Sequence, residues 1–179
     1  KIEADELSLT ANLDEARIQL NGPLGFAGQR NLELNITKID VGKLVQILHL
    51  PAQLAGDGTL TGKISSEIPL SASFSIPGAS LNKVPIGNLT GDFHFADGRV
   101  FLHPVRLSKG QSQLTLDGVA RIEGDIPLDF KVHVQPLQIA DYVKLAGADY
   151  PIEGVATGDL VLDGTSKQLN GRGTIQIAK

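Results

Sequence analysis

The chain has 179 residues, a formal net charge of −4, no cysteine, no methionine and no tryptophan, with 41% hydrophobic and 20% charged residues. Its acidic and basic residues are scattered without blocks, which excludes a nucleic-acid surface, because neutralising phosphates needs clustered Lys and Arg. No apolar run is long enough to cross a bilayer as a helix, and the absence of cysteine suits a reducing or an oxidising compartment equally. Beginning at Lys1 with no signal peptide, the chain is expected to be an internal segment whose membrane anchor or targeting signal lies outside it.

Leu7 and Leu9, Ile18 and Leu20, then Leu32, Leu34 and Ile36 alternate with polar residues and predict strands with one apolar and one wet face. Val41 to Leu50 switches to helical spacing, with Val41, Leu44, Val45 and Leu48 on one stripe, Asp40 as N-cap and Pro51 as the stop. Strand spacing resumes and continues through Phe93 and Phe95, Val100 and Leu102, Leu114 and Leu116, and Phe130, Val132 and Val134. A second helix is predicted over Leu137–Leu145 from Ile139, Tyr142 and Val143, ending at Gly147; Leu160 and Leu162, then Ile175 and Ile177, close the series. Turn signals punctuate it at Asn21-Gly22-Pro23, Pro77-Gly78, Asp97-Gly98, Lys109-Gly110, Asp117-Gly118, Glu123-Gly124, Asp163-Gly164 and Asn170-Gly171. Asp97-Gly98 is the clearest hairpin, since that dipeptide accepts the positive φ angles of a tight turn.

These spacings predict a mainly β fold, a meandering antiparallel sheet of about a dozen strands with two short helices. Helices of two to three turns do not hold themselves together in water, and two of them cannot cover so large an apolar face. The sheet must therefore curl on itself, into a sandwich, a barrel or a trough.

One passage occurs twice, about a hundred residues apart. Leu32–Ile36, Ile39–Val45, Pro51 and Gly58-Thr59-Leu60 are echoed by Leu128–Val132, Leu137–Val143, Pro151 and Gly158-Asp159-Leu160. This divides the chain into approximate units 1–57 and 58–157, with a following unit starting near 158. A fold built by repetition usually continues beyond one segment.

No catalytic constellation emerges, and the chain is read as a non-enzyme without cofactor or metal. His49, His94, His103 and His133 lack metal-ligand spacing. Asp57, Asp92, Asp97, Asp117 and Asp163 lie next to glycine, the mark of turn chemistry. No Gly-x-Ser-x-Gly elbow occurs, and Gly56–Gly62 misses the dinucleotide spacing and leads into a strand.

The strings LPAQLAGDGTLTG and IEGVATGDLVLDGTSKQLNGRGTIQI, and the recurrent strand ending in Leu-x-Gly, resemble the TamB family of the AsmA-like superfamily. Leu162-Asp163-Gly164-Thr165 followed by Leu169-Asn170-Gly171-Arg172-Gly173 is similar to that family's repeats. The resemblance implies an elongated U-shaped groove, a "β-taco", with an apolar concave face. It implies a periplasmic location, in a protein anchored in the inner membrane by a segment not present here and carrying phospholipid between inner and outer membrane. Its expected partners are phospholipid acyl chains and, through regions outside this segment, an outer-membrane protein of the TamA type. On this reading the groove is lined by Leu32, Leu34, Ile36, Leu60 and Phe74, by Phe93, Phe95, Val100 and Leu102, and by Leu114, Leu116, Phe130, Val132, Val134, Leu160 and Leu162.

Magnitudes set what such a groove must do. Moving a phospholipid with about thirty buried methylenes through water costs more than about 20 kcal/mol, at about 0.8 kcal/mol each, so the tails must stay covered. A seven-residue strand spans roughly 23 Å, and about twelve strands advance close to about 60 Å. Two alternatives stand beside lipid transport: a scaffold for outer-membrane protein assembly that receives a client strand by β-augmentation, and a structural spacer with a filled interior.

Overall fold

Period-two alternation, interrupted by single turns, produces strands that pair with their chain neighbours. The computed structural model describes residues 5–24, 31–47, 53–121, 127–146, 153–165 and 168–178. The strands are β1 (Asp5–Leu13), β2 (Ala16–Leu24), β3 (Asn31–Asp40), β4 (Leu54–Ala55), β5 (Asp57–Ser65), β6 (Leu70–Leu81), β7 (Val84–Ala96), β8 (Arg99–Lys109), β9 (Ser112–Arg121), β10 (Pro127–Gln138), β11 (Val155–Thr165) and β12 (Leu169–Ala178). They form one antiparallel 12-stranded sheet in chain order; only the short β4 leaves the path, pairing with the end of β6. The sheet does not close, and β1 and β12 are its two flanks.

Two hairpins turn on consecutive positive-φ residues, Asp97-Gly98 (φ 52° and 69°) as expected, and Asn82-Lys83 (φ 50° and 66°), which carries no glycine. Several glycines read as turns instead lie inside strands: Gly22 in β2, Gly118 in β9, Gly164 in β11 and Gly171 in β12. Pro77-Gly78 sits within β6 at a register shift between Ile76 and Ala79. Close strand approach explains the first two, since a Cβ on Gly22 would stand 2.5 Å from the Asn31 carbonyl oxygen and one on Gly118 2.1 Å from that of Asp129. Glu123-Gly124 lies outside the described residues.

The first helix, α1 (Val41–Ile47), is capped as expected: Asp40 Oδ1 accepts the Lys43 N–H at 3.1 Å. Its expected last turn, and Pro51, lie outside the described residues. The second predicted helix is replaced. Leu137 and Gln138 belong to β10, and two 3-10 turns follow, Ile139–Asp141 and Val143–Ala146. Gln138 makes no side-chain cap, and Tyr142 (φ −124°) interrupts the helical path.

The sheet curls toward its apolar face. Glu33, Asn35, Thr61, Lys63, Ser73, Asp92, Lys131 and His133 on one face are exposed, whereas Leu34, Ile36, Leu60, Phe93, Leu102 and Phe130 on the other are half-buried, with no second sheet above them among the described residues. Fully buried apolar residues are few among those described, and the one core cluster joins Ile76, Ala79 and Ile86 at one end of the strands. The chain exposes 11888 Å², against about 8,400 Å² for a compact monomer of 19.0 kDa.

Candidate functional site: an apolar face with one capped rim

Strand pairing lines up the apolar side chains in rows that cross the sheet. One row runs Leu9, Leu20, Leu34, Gly62, Ala72, Phe93, Leu102, Gly118, Phe130, Leu162, Gly171. A second takes in Ile36, Leu60, Phe74 and Gly91, then Val105, Leu116, Val132 and Leu160. On either side, Leu107, Leu114 and Val134 form one row, and Phe95, Val100, Ala120 and Leu128 another, while Leu32 faces Ile64. Every lining residue expected from the sequence therefore stands on one face. Leu32, Val132 and Val134 are buried and the rest half-buried. Glycines interrupt the rows at intervals, and Phe74 lies over Gly91 as Phe130 lies against Gly118. The Phe74 and Phe93 rings tilt together at 6.4 Å.

The opposite face is polar. Ser73 donates to Asp92, His133 Nδ1 lies 2.6 Å from Asp159 Oδ1, and Arg172 pairs with Asp163 at 3.2 Å. His94 stacks between Phe101 (4.5 Å) and His103 (5.4 Å) on this face. Hollows of about 670 and 600 Å³ open here, lined by residues such as Gln113, His133 and Asp159, or Glu33, Lys63 and Ser73. Their polar linings suit water, not acyl chains. Among the described residues no group of His, Asp or Glu is arranged to hold a metal; His49 lies outside them.

The two rims differ. At the β6–β7 end, helical segments from both copies of the repeated passage converge on the Ile76–Ala79–Ile86 cluster: Val41 from α1, and Tyr142 and Leu145 from the 3-10 turns. A polar network holds the second segment. The Tyr142 hydroxyl donates to the Ile86 carbonyl at 3.2 Å, and Lys109 Nζ donates to the carbonyls of Pro85 (3.2 Å) and Asp141 (3.1 Å). Ser112, fully buried, donates to Asp141 Oδ2 and accepts the Gln138 N–H. Burial pushes the Tyr142 phenol up, with the Asp141 carboxylate adding to it. At the other rim, strand connections such as Asp97-Gly98 carry no helical segment among the described residues.

The repeat is visible in the geometry. Register shifts between Ile36 and Ile39 recur between Val134 and Leu137. Val41 N–H donates to the Gly56 carbonyl at 3.1 Å, and Ile139 N–H to that of Gly154 at 3.0 Å. Gly58, opposite Ile39, therefore matches Ala156, opposite Leu137, and the sequence pairing of Gly58 with Gly158 is out of step. In each copy the segment's charge reaches the β-turn two strands back, with signs exchanged: Lys43 pairs with Asp14 at 2.5 Å, Asp141 with Lys109 at 3.6 Å. Of these latch residues, Lys43 and Asp141 fall inside the repeated passage and Lys109 at an expected turn, but neither ion pair was expected. No family model, curated protein or solved structure matches this chain.

Proposed function

We propose that this chain is one segment of a periplasmic, AsmA-like conduit of the TamB type that shelters phospholipid acyl chains on their way between two membranes. The observation that carries this reading is the continuous apolar face, crossing the sheet from β1 to β12 and left half-exposed without a covering layer. Apolar patches of this extent on a chain outside the membrane mark binding surfaces. Aliphatic rows grip methylenes without reading a head group, so the segment holds tails non-specifically. Tails lie along the strands, because Val100 to Leu107 covers about 20 Å, six strand steps on the partner β7, more than the roughly 15 Å of one leaflet's hydrocarbon.

The test is purification from a membrane-containing bacterial lysate, with native mass spectrometry and lipid extraction. Phospholipid is expected to co-purify. Phe93→Asp and Phe130→Asp, at the middle of the face, are expected to remain folded and to lose the lipid. A lipid-free wild-type protein overturns the reading. So does unfolding of both variants, which marks a sealed core.

A further inference from the structure

We infer that Arg99 and Arg121, at the uncapped rim, form a binding pair for the phosphate of a phospholipid, which therefore lies with its head group at that rim and its chain ends toward the helical cap. The inference rests on the lipid reading above and adds to it a recognised group and an orientation.

Charge placement points to the pair. Among the described residues, three like-charged couples stand directly opposite each other on neighbouring strands: Asp40 and Asp57, Asp129 and Asp163, and Arg99 and Arg121. Such couples repel unless a counter-charge is supplied. The first has one in the Lys43 ammonium, besides the Lys43 N–H that Asp40 accepts, and the second has Arg172 at 3.2 Å from Asp163. Arg99 and Arg121 have none. Both are exposed, and neither makes an ion pair or side-chain hydrogen bond among the described residues, Asp97 of the adjoining turn included. Two guanidinium forks on facing strands can converge on the oxygens of one phosphate, which brings the missing charge.

Position ties the pair to the apolar face. Arg99 opens β8 and Arg121 closes β9, one ladder step beyond the outermost apolar row, where Val100 pairs with Phe95 and Ala120. Alternation assigns both arginines to the polar face, and from a strand end their long stems reach the rim. The apolar rows thus stop where the unpaired charge begins, the order of chain and head group in a lipid. At the opposite end the face is closed by apolar side chains. Ile76, Ala79 and Ile86 are 5%, 0% and 5% exposed, packed by Val41, Tyr142 and Leu145, and Leu107 joins them. Two lysines of that end, Lys43 and Lys109, are already held by Asp14 and Asp141. A chain end suits that closure, and a phosphate suits the arginines.

The test uses the absence of tryptophan from the chain. A single one is placed at the uncapped end by Val100→Trp, or at the capped end by Leu107→Trp, with Leu114→Trp in the same row should that variant not fold. Each protein is loaded with phosphatidylglycerol brominated near the carboxyl end or near the methyl end of its chains. Carboxyl-end bromines are expected to quench Val100→Trp more strongly than methyl-end ones, and the order is expected to reverse at the capped end. Equal or reversed quenching overturns the inference and leaves the lipid reading standing; no quenching at either end, with no lipid bound, overturns both. Arg99→Gln with Arg121→Gln relieves a repulsion and is expected to keep the fold. It is expected to lose at least about threefold in preference for phosphatidylglycerol over diacylglycerol of the same chains, whereas Lys83→Gln with Lys144→Gln, exposed lysines of the capped end, retains it. An unchanged preference in the arginine variant, an equal loss in the lysine variant, or arginine-dependent binding of inorganic phosphate as tight as that of phosphatidylglycerol overturns the pair as a head-group site.

Discussion

At Gly118 a single missing side chain decides how two strands meet. Its φ is +157°, and an added Cβ would stand 2.1 Å from the Asp129 oxygen and 2.5 Å from the Phe130 ring. Gly118→Ala is expected to cost about 2–3 kcal/mol by urea unfolding, from backbone strain and overpacking together; an unchanged midpoint would remove close approach as the reason for glycine there. Lys43 holds the Asp14 carboxyl below its ordinary 3.8, through a hydrogen bond first and charge second, and Asp14 raises Lys43 above 10.5. A lowered carboxyl stabilises above its unfolded value and loses that as pH falls through the folded one; a raised lysine stabilises below 10.5 and loses that as pH rises through its folded value. Protection factors for α1 amides are therefore expected to be level near neutrality and to fall at pH below 3.8, and Asp14→Asn should reduce that acid-side fall.

Among the elements, strands were legible because alternation alone specifies which face each residue takes, and the lining residues inherited their common face from it. Glycine was the weak guide. Asp117-Gly118 and Asn170-Gly171 carry turn chemistry yet lie in strands, where Gly118 admits a neighbouring backbone and ring and Gly171 the Leu162 side chain, while Asn82-Lys83 turns without glycine. The segment after Leu137 was read as helix from its apolar spacing, but β10 keeps its first two residues through pairing with β11, a long-range choice that local spacing does not contain. The latch was equally hidden, since Lys109, Ser112 and Asp141 meet only once three strands have paired. Lys109 and Asp141 are each about one-third exposed (31% and 33%), so their charge coupling is expected to be about 0.5–1 kcal/mol in a double-mutant cycle. Asp141→Lys should loosen the 3-10 turns in hydrogen exchange, and adding Lys109→Asp should restore part of the protection. No restoration would assign the contact to the backbone carbonyls alone.

For the molecule as a whole, the excess surface means that stability rests on strand-to-strand contact and on the capped rim, not on a central core. Leu102→Ala, on the half-buried face, is accordingly expected to cost about 1–1.5 kcal/mol by chemical denaturation, below the roughly 2–5 kcal/mol of a sealed interior. A cost at the upper end of that range would indicate that the face is filled from above. Repetition gives a sheet of this kind a hazard of its own, because similar segments can seat themselves on the wrong neighbour while the chain is folding. The exchanged signs of the two latches bear on this. Asp141 brought to the first turn would meet Asp14, and Lys43 brought to the second would meet Lys109, so each misplaced segment is turned away by like charge. The two ion pairs thus favour each helical segment on its own turn over the other's, by the modest amount that partly exposed charges carry.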